Sequence, residues 1–362
     1  MSADTHFSSS YAEARGKFLQ AAAAAGLTVQ SHAHPLAGRQ GETLAMDVAR
    51  LGSADATAVL VLSSACHGVE GYCGSGVQHA LLSDAGFLAT ARASGVAMLW
   101  IHALNPHGFS WWRRTTHENV DLNRNFHPYD GRPLPVNAGY AELADALLPA
   151  TWPPTPENEA VLAAYAERHG AFGLQAAISG GQYSHPDGLF FGGLGPTWSH
   201  LVLRQVLREH AGGCRRLGWV DVHTGLGPSG HGEKIFAGPN DAAAIARAKA
   251  WWGNEVTSTY DGSSTSAPLE GLMWNVVKTV NPQAEYTGIA LEYGTVPVPE
   301  VMTALRGDHW LRLHPETGAA QRGAIQRQML QAFYTDTPAW KAAIVEQGHA
   351  AVRQALTGLA GG

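Results

Sequence analysis

Two polar clusters in the sequence combine histidine with carboxylate residues at spacings that suit a metal ion. His67 and Glu70 lie three residues apart, directly after the apolar run VLVLSSAC. An imidazole nitrogen and a carboxylate oxygen are ordinary zinc ligands, and a turn or helix between them would direct both to one ion. His223 follows a second apolar run, RLGWVDV. Each motif also fits another interpretation, because HxxE pairs occur at surfaces and helix caps, and a histidine after a buried strand is often structural.

A glutamate inside an apolar segment is the third feature. Glu292 interrupts the run IALEYGT. Burying a carboxylate costs free energy unless the group is paired or lies at the exposed end of a strand. A partly desolvated carboxylate is a suitable general base, so Glu292 is a candidate for that role.

The fourth feature is the segment 119–126, NVDLNRNF, in which two apolar side chains interrupt a run of Asn, Asp and Arg. This composition favours neither a strand nor a helix. A planar guanidinium beside an amide, as in Asn123-Arg124, suits the capture of a carboxylate through paired hydrogen bonds. A nearby aspartate, here Asp121, could orient a metal-bound histidine. A solvated turn is the alternative interpretation of the segment.

The apolar runs and helical patterns predict the elements that must position these residues. Strands and helices alternate, which is typical of a layered α/β fold. The polar clusters follow predicted strands, where ligand sites of open α/β sheets lie. The predicted strands are 57–64, 96–103, 173–179, 216–222 and 288–293. The predicted helices are 8–26, 72–83, 156–169, 197–211, 241–254, 299–313, 317–334 and 336–358.

Two further segments have no regular pattern, and no repeat or long linker divides the chain. The stretch 105–156 is too polar and irregular for the core, and the glycine-rich segment 180–196 is expected to form a loop that shapes a pocket. We expect a single domain over residues 1–362.

The order of the four clusters resembles that of the zinc carboxypeptidases. The most specific match is VDLNRNF, preceded by the turn NPHG at 105–108 and the element WRRT at 112–115. The resemblance spans about residues 57–295. The segment GGQYSHPDGLFFGG at 180–193 is similar to a less-characterised, mainly bacterial branch of the same superfamily. The resemblance implies a three-layer α/β fold with a mixed, mostly parallel sheet and helices on both faces.

The resemblance also implies a role for each matching residue. His67, Glu70 and His223 would bind one Zn²⁺ per chain, and Glu292 would activate the zinc-bound water. Arg113 would steady the oxyanion; it is preferred to Arg114 because it directly follows the tryptophan, and Arg114 is assigned to substrate binding. The remaining matches are the carboxylate-binding pair Asn123 and Arg124 and the histidine-orienting Asp121. A tyrosine over the substrate is not assigned, because Tyr183, Tyr260 and Tyr286 fit equally well.

The implied function is a metallopeptidase that hydrolyses a C-terminal or carboxylate-adjacent amide bond. The alternative is an N-acyl amino acid deacylase similar to aspartoacylase and succinylglutamate desuccinylase, which also show DLNR and a strand-end DxHT. The element NPHGF…WWRR favours the peptidase. A catalytically silent binding protein is a third hypothesis, which the complete set of ligands, base and arginine argues against.

Composition excludes several other functions. Charged residues make up 15% of the chain and the net charge is −6, with no basic patch that would track nucleic acid. We expect neither a signal peptide nor a membrane span, because the first residues show no basic stretch followed by a long apolar run and no apolar run reaches about 18 residues. Its three cysteines form neither a disulfide framework nor a Cys-only metal site, so we expect a cytoplasmic protein. The GLGPSG motif at 225–230 is not followed by a helix, as a dinucleotide site requires.

Overall fold

In a computed structural model, which describes residues 2–361, a seven-stranded mixed sheet forms the centre of the fold. The strand order is β1-β2-β4-β3-β5-β7-β6. The four central strands β4, β3, β5 and β7 are parallel, and β1, β2 and β6 pair antiparallel at the two edges. The strands are β1 (Val29–Ala37), β2 (Thr43–Leu51), β3 (Ala58–Ser63), β4 (Ala97–His102), β5 (Arg216–Ser229), β6 (Gly232–Phe236) and β7 (Glu285–Gly294).

Helices cover both faces of the sheet, which makes the architecture three-layered. Neighbouring residues of β3 show this directly, since Leu60 and Leu62 join one buried cluster while Val59 and Val61 join another. Strands buried on both faces have continuous apolar sequences. The α-helices are α1 (Tyr11–Ala24), α2 (Gly71–Leu82), α3 (Ala85–Ala93), α4 (Pro106–Trp111), α5 (Ala138–Leu147), α6 (Pro156–Ser179), α7 (Trp198–Ala211), α8 (Ala242–Trp252), α9 (Val276–Val280), α10 (Val298–Leu313), α11 (Arg322–Phe333) and α12 (Pro338–Ala360). The 3₁₀ turns are Ala3–His6, Gly68–Glu70, Leu122–Arg124 and Met273–Asn275.

The predicted α/β class is confirmed, and the four predicted strands around 57–64, 96–103, 216–222 and 288–293 correspond to β3, β4, β5 and β7. The strand expected at 173–179 is wrong, because this segment is the last part of helix α6. Gly170 has a φ of 76° and kinks α6, so the helical pattern is interrupted there. The short apolar run after the kink packs Ala177 and Ile178 against α5 instead of entering the sheet.

The stretch 105–156 is less irregular than expected. It contains helices α4 and α5, and Tyr140, Leu143 and Leu147 of α5 are fully buried. The apolar face of α5 is short and lies between proline-rich segments, which hid its helical period. Within residues 2–361, none of the helices combines the length and apolar character that crossing a bilayer requires.

The sheet register brings the ends of three strands together. In the parallel pairing of β3 with β5, Ser63 lies opposite Asp221. In the pairing of β5 with β7, His223 lies opposite Glu292. Side chains of directly opposed residues project from the same face of a sheet. The register therefore places the predicted base beside a predicted metal ligand.

Candidate metal centre and substrate cleft

His67, Glu70 and His223 lie together in the interior. His67 follows β3, Glu70 closes the 3₁₀ turn at Gly68–Glu70, and His223 belongs to β5. All three are buried, and one ligand atom from each lies within 4.8 Å of the others. The Nδ1 atoms of the histidines are 3.3 Å apart, and Glu70 places Oε1 2.9 Å from His67 Nδ1 and Oε2 3.1 Å from His223 Nδ1.

The turn that carries His67 and Glu70 is fixed by a close approach of two backbones. Gly68 N and Val69 N donate hydrogen bonds to the carbonyl oxygens of Arg114 and Arg113. A Cβ atom at Gly68 would lie 2.1 Å from the carbonyl carbon of Gly108 in α4, so only glycine fits here. The NPHG and WRRT elements therefore hold the HGVE turn against the sheet.

The outer nitrogens of both histidines face carboxylates. His223 Nε2 lies 2.5 Å from Asp221 Oδ2, and an ionised carboxylate only accepts, so neutral His223 carries its proton on Nε2 and a lone pair on Nδ1. His67 Nε2 lies 3.2 Å from Asp121 Oδ1 and 2.8 Å from Arg114 Nη2. Arg114 can only donate and an ionised Asp121 can only accept, so these two contacts compete for Nε2. When Nε2 donates to Asp121, Nδ1 of His67 keeps a lone pair, as in His223.

This donor set fits a metal ion. Two imidazole lone pairs and the Glu70 carboxylate would converge on one region, and they repel one another unless a cation or a proton lies between them. Histidine ligands whose other nitrogen contacts a carboxylate are typical of zinc sites. The second set of metal-binding types within reach consists of Cys66, Asp221 and His223. It fits less well, because Asp221 already accepts hydrogen bonds on both oxygens.

Charge in the cluster is strongly coupled. Burial would raise the pKa of Glu70, but His67 and His223 beside it hold that pKa below the ordinary value. Burial would lower the pKa of His223, but Asp221 and Glu70 raise it well above the ordinary value. In the absence of a metal, Asp221 and Glu70 thus favour the protonated form of His223. A divalent ion would take the place of that positive charge.

Glu292 lies beside this cluster on β7 and lines the same cleft. Its Oε1 accepts a hydrogen bond of 3.0 Å from Leu226 N. Burial and the nearby negative charge of Glu70 raise the pKa of Glu292 to about 8. At neutral pH the metal-free carboxyl group therefore favours its protonated form, and it becomes a base when a nearby cation lowers its pKa.

The two adjacent arginines have different surroundings. Arg113 Nε donates to Asp308 Oδ2 at 2.9 Å, and Arg113 is not among the residues that line the cleft. Arg114 lines the cleft, and it donates to Asp121 Oδ2 at 2.9 Å and to Glu70 Oε1 at 3.2 Å. The geometry therefore places Arg114, and not the expected Arg113, beside the predicted metal ligands.

Asn123 and Arg124 also line the cleft. Asn123 is fixed by its Oδ1, which accepts from Met273 N at 2.8 Å. Arg124 is buried, and its Nε and Nη2 donate to Ser179 O while Nη1 donates to Asn123 O. Its nearest carboxylate is Asp121, at 4.0 Å. Arg124 is thus a buried cation held mainly by neutral carbonyl groups.

The glycine-rich segment 180–193 supports the Asn-Arg segment. Gly181 has a φ of 105°, and a Cβ atom there would lie 2.9 Å from Arg124 Cδ. Asp121 N donates to Phe191 O at 2.8 Å, and Tyr183 Oη donates to Arg124 O at 2.8 Å. Phe190 of this segment lines the cleft. Gly181, Tyr183 and Phe191 instead contact the segment that carries Asn123 and Arg124.

The cleft extends from the cluster along one face of the sheet between apolar walls. Its charged lining residues are all near the cluster, namely Glu70, Arg114, Arg124, Asp221 and Glu292. Its distant part is lined by apolar and aromatic side chains, among them Trp219, Ile235, Met273, Trp274, Tyr286 and Ile289. Of the three tyrosines considered above, Tyr286 lines this distant part, while Tyr260 and Tyr183 bond to backbone carbonyls elsewhere.

Comparisons with known proteins place the chain in a family. The family model described as "Protein of unknown function (DUF2817)" matches residues 7–347. The chain belongs to that family. No curated protein matches the chain in a sequence comparison.

Several solved structures are similar to this DUF2817 chain. Carboxypeptidase A from Helicoverpa armigera has a TM-score of 0.47 at 13% identity, covering 90% of this chain and 74% of the other. Thrombin activatable fibrinolysis inhibitor (TAFI) has a TM-score of 0.46 at 11% identity, covering 94% and 78%. A metallo-carboxypeptidase from Burkholderia cenocepacia has a TM-score of 0.40 at 12% identity, covering 88% and 66%.

Sequence reasoning missed two residues of this DUF2817 site. Asp221 was considered only as part of the strand-end DxHT motif. Residues two apart in a strand share a face, so its contact with His223 follows from the spacing. Ser63 bonds to Asp221 across the sheet. No local signal identifies Ser63, because the contact depends on the register between β3 and β5.

Proposed function

We propose that this protein is a zinc-dependent hydrolase that cuts an amide bond beside a free carboxylate. The observation that supports the proposal most is the convergence of His67, Glu70 and His223 beside the buried base Glu292, in one cleft. Two imidazoles and one carboxylate are a frequent ligand set of catalytic zinc. A zinc ion bound there would supply an activated water, whose pKa falls to about 7.

Glu292 is the proton carrier in this proposal. Its carboxylate accepts a proton from the attacking water and donates it to the leaving nitrogen. The hydrogen bond from Leu226 N orients the carboxylate, and its pKa of about 8 in the metal-free protein reflects burial and the charge of Glu70. A cation beside Glu292 would lower that pKa and ionise the base at neutral pH.

Arg114 is assigned the stabilisation of the oxyanion in place of Arg113. The guanidinium of Arg114 lies beside the ligands, where negative charge develops on the substrate oxygen, whereas Asp308 holds Arg113 elsewhere. Electrostatic stabilisation of this kind is strong in a buried site, because little water competes with it.

Arg124 is assigned the substrate carboxylate, with Asn123 beside it. A guanidinium has five N–H donors, and neutral carbonyl oxygens account for the Arg124 hydrogen bonds described above. A substrate carboxylate would supply the negative partner that this buried cation lacks at close range. The apolar part of the cleft would hold the side chain beside that carboxylate, so we propose an apolar or aromatic side chain there.

A comparison of matched substrates tests the proposal. Zinc-loaded protein is incubated with an N-acylated dipeptide ending in phenylalanine, with the same compound amidated at its C-terminus, and with N-acetylphenylalanine. We expect hydrolysis of the free acid, little hydrolysis of the amide, and no hydrolysis by Glu292→Gln. Cleavage of N-acetylphenylalanine alone would indicate a deacylase. Hydrolysis of the acid and the amide at equal rates would contradict the role of Arg124.

We also propose that residues 1–362 act as one catalytic domain in the cytoplasm. Residues from His67 to Phe333 line one cleft beside a single sheet. Cys66, Cys73 and Cys214 are buried and unpaired, which is compatible with a reducing compartment.

A further inference from the structure

A row of buried hydrogen bonds connects the wall of the cleft with His223. Trp219 Nε1 donates to Ser63 Oγ at 2.7 Å, and Ser63 Oγ donates to Asp221 Oδ1 at 2.5 Å. Asp221 Oδ2 lies 2.5 Å from His223 Nε2. All four side chains are buried, and Trp219 also lines the apolar part of the cleft.

The types of donor and acceptor group determine which atom donates in each hydrogen bond of this row. An indole N–H can only donate, so Ser63 Oγ accepts from Trp219 and directs its own hydrogen to Asp221. An ionised carboxylate can only accept, so Asp221 Oδ2 receives the Nε2–H of His223. The proton of neutral His223 is therefore held on Nε2, and Nδ1 faces His67 and Glu70 with a lone pair.

All four residues of this row belong to strands β3 and β5. Trp219, Asp221 and His223 alternate along β5 and share one face, and Ser63 is the directly opposed partner of Asp221 in β3. The parallel pairing of β3 with β5 therefore fixes the positions of these residues. Ligand geometry that is set by regular elements is more precise than geometry set by loops.

We propose that Ser63 and Trp219 are positioning residues that fix the tautomer and orientation of His223 and so strengthen metal binding. The inference depends on the metal site of the proposed function. Loss of a group that contacts a metal ligand directly typically weakens metal affinity by about 10- to 100-fold. Ser63 contacts His223 through Asp221, so we expect its loss to lie at the lower end of that range. Ser63 makes the only contact that presents a donor to Asp221 Oδ1 among the side-chain hydrogen bonds of residues 2–361.

The chain offers a matched control at the next position. Ser64 is as fully buried as Ser63, and its Oγ donates to Gln78 Oε1 at 3.0 Å, away from Asp221. Each of Ser63→Ala and Ser64→Ala removes one buried hydroxyl; the first loses the hydrogen bonds to Trp219 and Asp221, and the second loses the bond to Gln78. Ser63→Thr keeps the hydroxyl of the row. A second pair is Trp219→Phe and Trp252→Phe, because Trp252 Nε1 donates to Ala351 O at 2.9 Å, outside the site.

The experiment measures the zinc dissociation constant of each full-length variant by competition with a chelator, after circular dichroism has shown that the variant is folded. We expect Ser63→Ala to raise the constant about 10-fold and Trp219→Phe to raise it less. Ser64→Ala, Ser63→Thr and Trp252→Phe should stay near the wild-type value. If Ser63→Ala does not fold, comparison of the zinc dissociation constants of Trp219→Phe and Trp252→Phe tests the inference.

Equal constants for Ser63→Ala and Ser64→Ala, or for the two tryptophan variants, would overturn this inference while the metal site stands. A wild-type protein that binds no zinc would overturn the proposed function and this inference together.

Discussion

The two histidines of the candidate site lie in regions that are built in different ways. His223 and Glu292 project from paired central strands. Asp221, which contacts His223 Nε2, is bonded to the neutral Ser63, and Ser63 is bonded to Trp219. His67 lies in a loop, and a charged network of Arg114, Asp121 and Glu70 surrounds it. The strand side is fixed by the sheet register, while the loop side is fixed by ion pairs and tight backbone contacts.

The difference indicates a division of tasks. Strand pairing gives a fixed position to groups that must not move, here one ligand and the base. The loop side brings arginines to the cleft, where positive charge is needed for the oxyanion and the substrate carboxylate. Substitution of the base on the strand side should therefore mainly lower kcat. Substitutions on the loop side should affect kcat, KM or thermal stability, depending on which residue is changed.

The largest effect is expected for the base on the strand side. Glu292→Gln should reduce kcat about 10³-fold while zinc remains bound, because a neutral amide cannot take the proton. Glu233 is a matched control, since it lies opposite Glu292 in the pairing of β6 with β7 and is similarly buried, but bonds to Thr257 and Thr265. Steady-state kinetics should show much higher activity in Glu233→Gln. Equal losses in both variants would indicate that general disturbance of the sheet causes the effect.

The adjacent arginines test the loop side. Arg114→Ala should lower kcat/KM about 10²-fold or more, since a charge that stabilises the oxyanion is lost. Arg113→Ala should mainly lower stability, because Asp308 loses the ion pair that holds it. Kinetics and thermal unfolding of both variants separate these outcomes. A larger catalytic loss in Arg113→Ala would restore the role expected from the motif.

Arg124 should act on substrate binding. Arg124→Ala should raise KM for a substrate with a free carboxylate by about 10-fold or more, with a smaller change in kcat, because a buried charged contact is lost. Discrimination between the free acid and its C-terminal amide should disappear. Retention of that discrimination would place the carboxylate elsewhere in the cleft.

The smallest effect concerns the pH dependence of stability. In metal-free protein the pKa of Glu292 is about 8, above its ordinary value of 4.5, so the neutral carboxyl is favoured in the folded state. Its contribution to stability is complete below about pH 4.5 and is lost as the pH rises to about 8. The Tm of the wild type should fall relative to that of Glu292→Gln over this interval, in the presence of a chelator. Parallel Tm curves would show that Glu292 ionises normally.

The strand side was largely predictable from the sequence, because strands buried on both faces have continuous apolar runs. Runs of this kind identified β3, β4, β5 and β7. Strands β1 and β2 were not predicted, and β1 is mostly exposed at the edge of the sheet, where burial leaves no clear pattern. Position 173–179 was misassigned because a short apolar run does not distinguish a strand from the end of a kinked helix.

The loop side was predictable only through motif resemblance, and only in part. The segment VDLNRNF directed attention to Asn123 and Arg124, which the structure brings to the cleft. The motif could not decide between Arg113 and Arg114, because neighbouring side chains leave the backbone in different directions and one of them meets Asp308. Ser63 and Trp219 escaped notice since their contacts depend on strand register.

The central claim is that His67, Glu70 and His223 hold one divalent ion beside Glu292. Metal content of purified, zinc-equilibrated protein tests it most directly, with wild type, His67→Ala, His223→Ala and Glu292→Gln measured side by side. The account predicts about one zinc per chain in the wild type and in Glu292→Gln, and much less in both histidine variants. Wild-type protein without stoichiometric zinc, or histidine variants that keep it, would contradict the account.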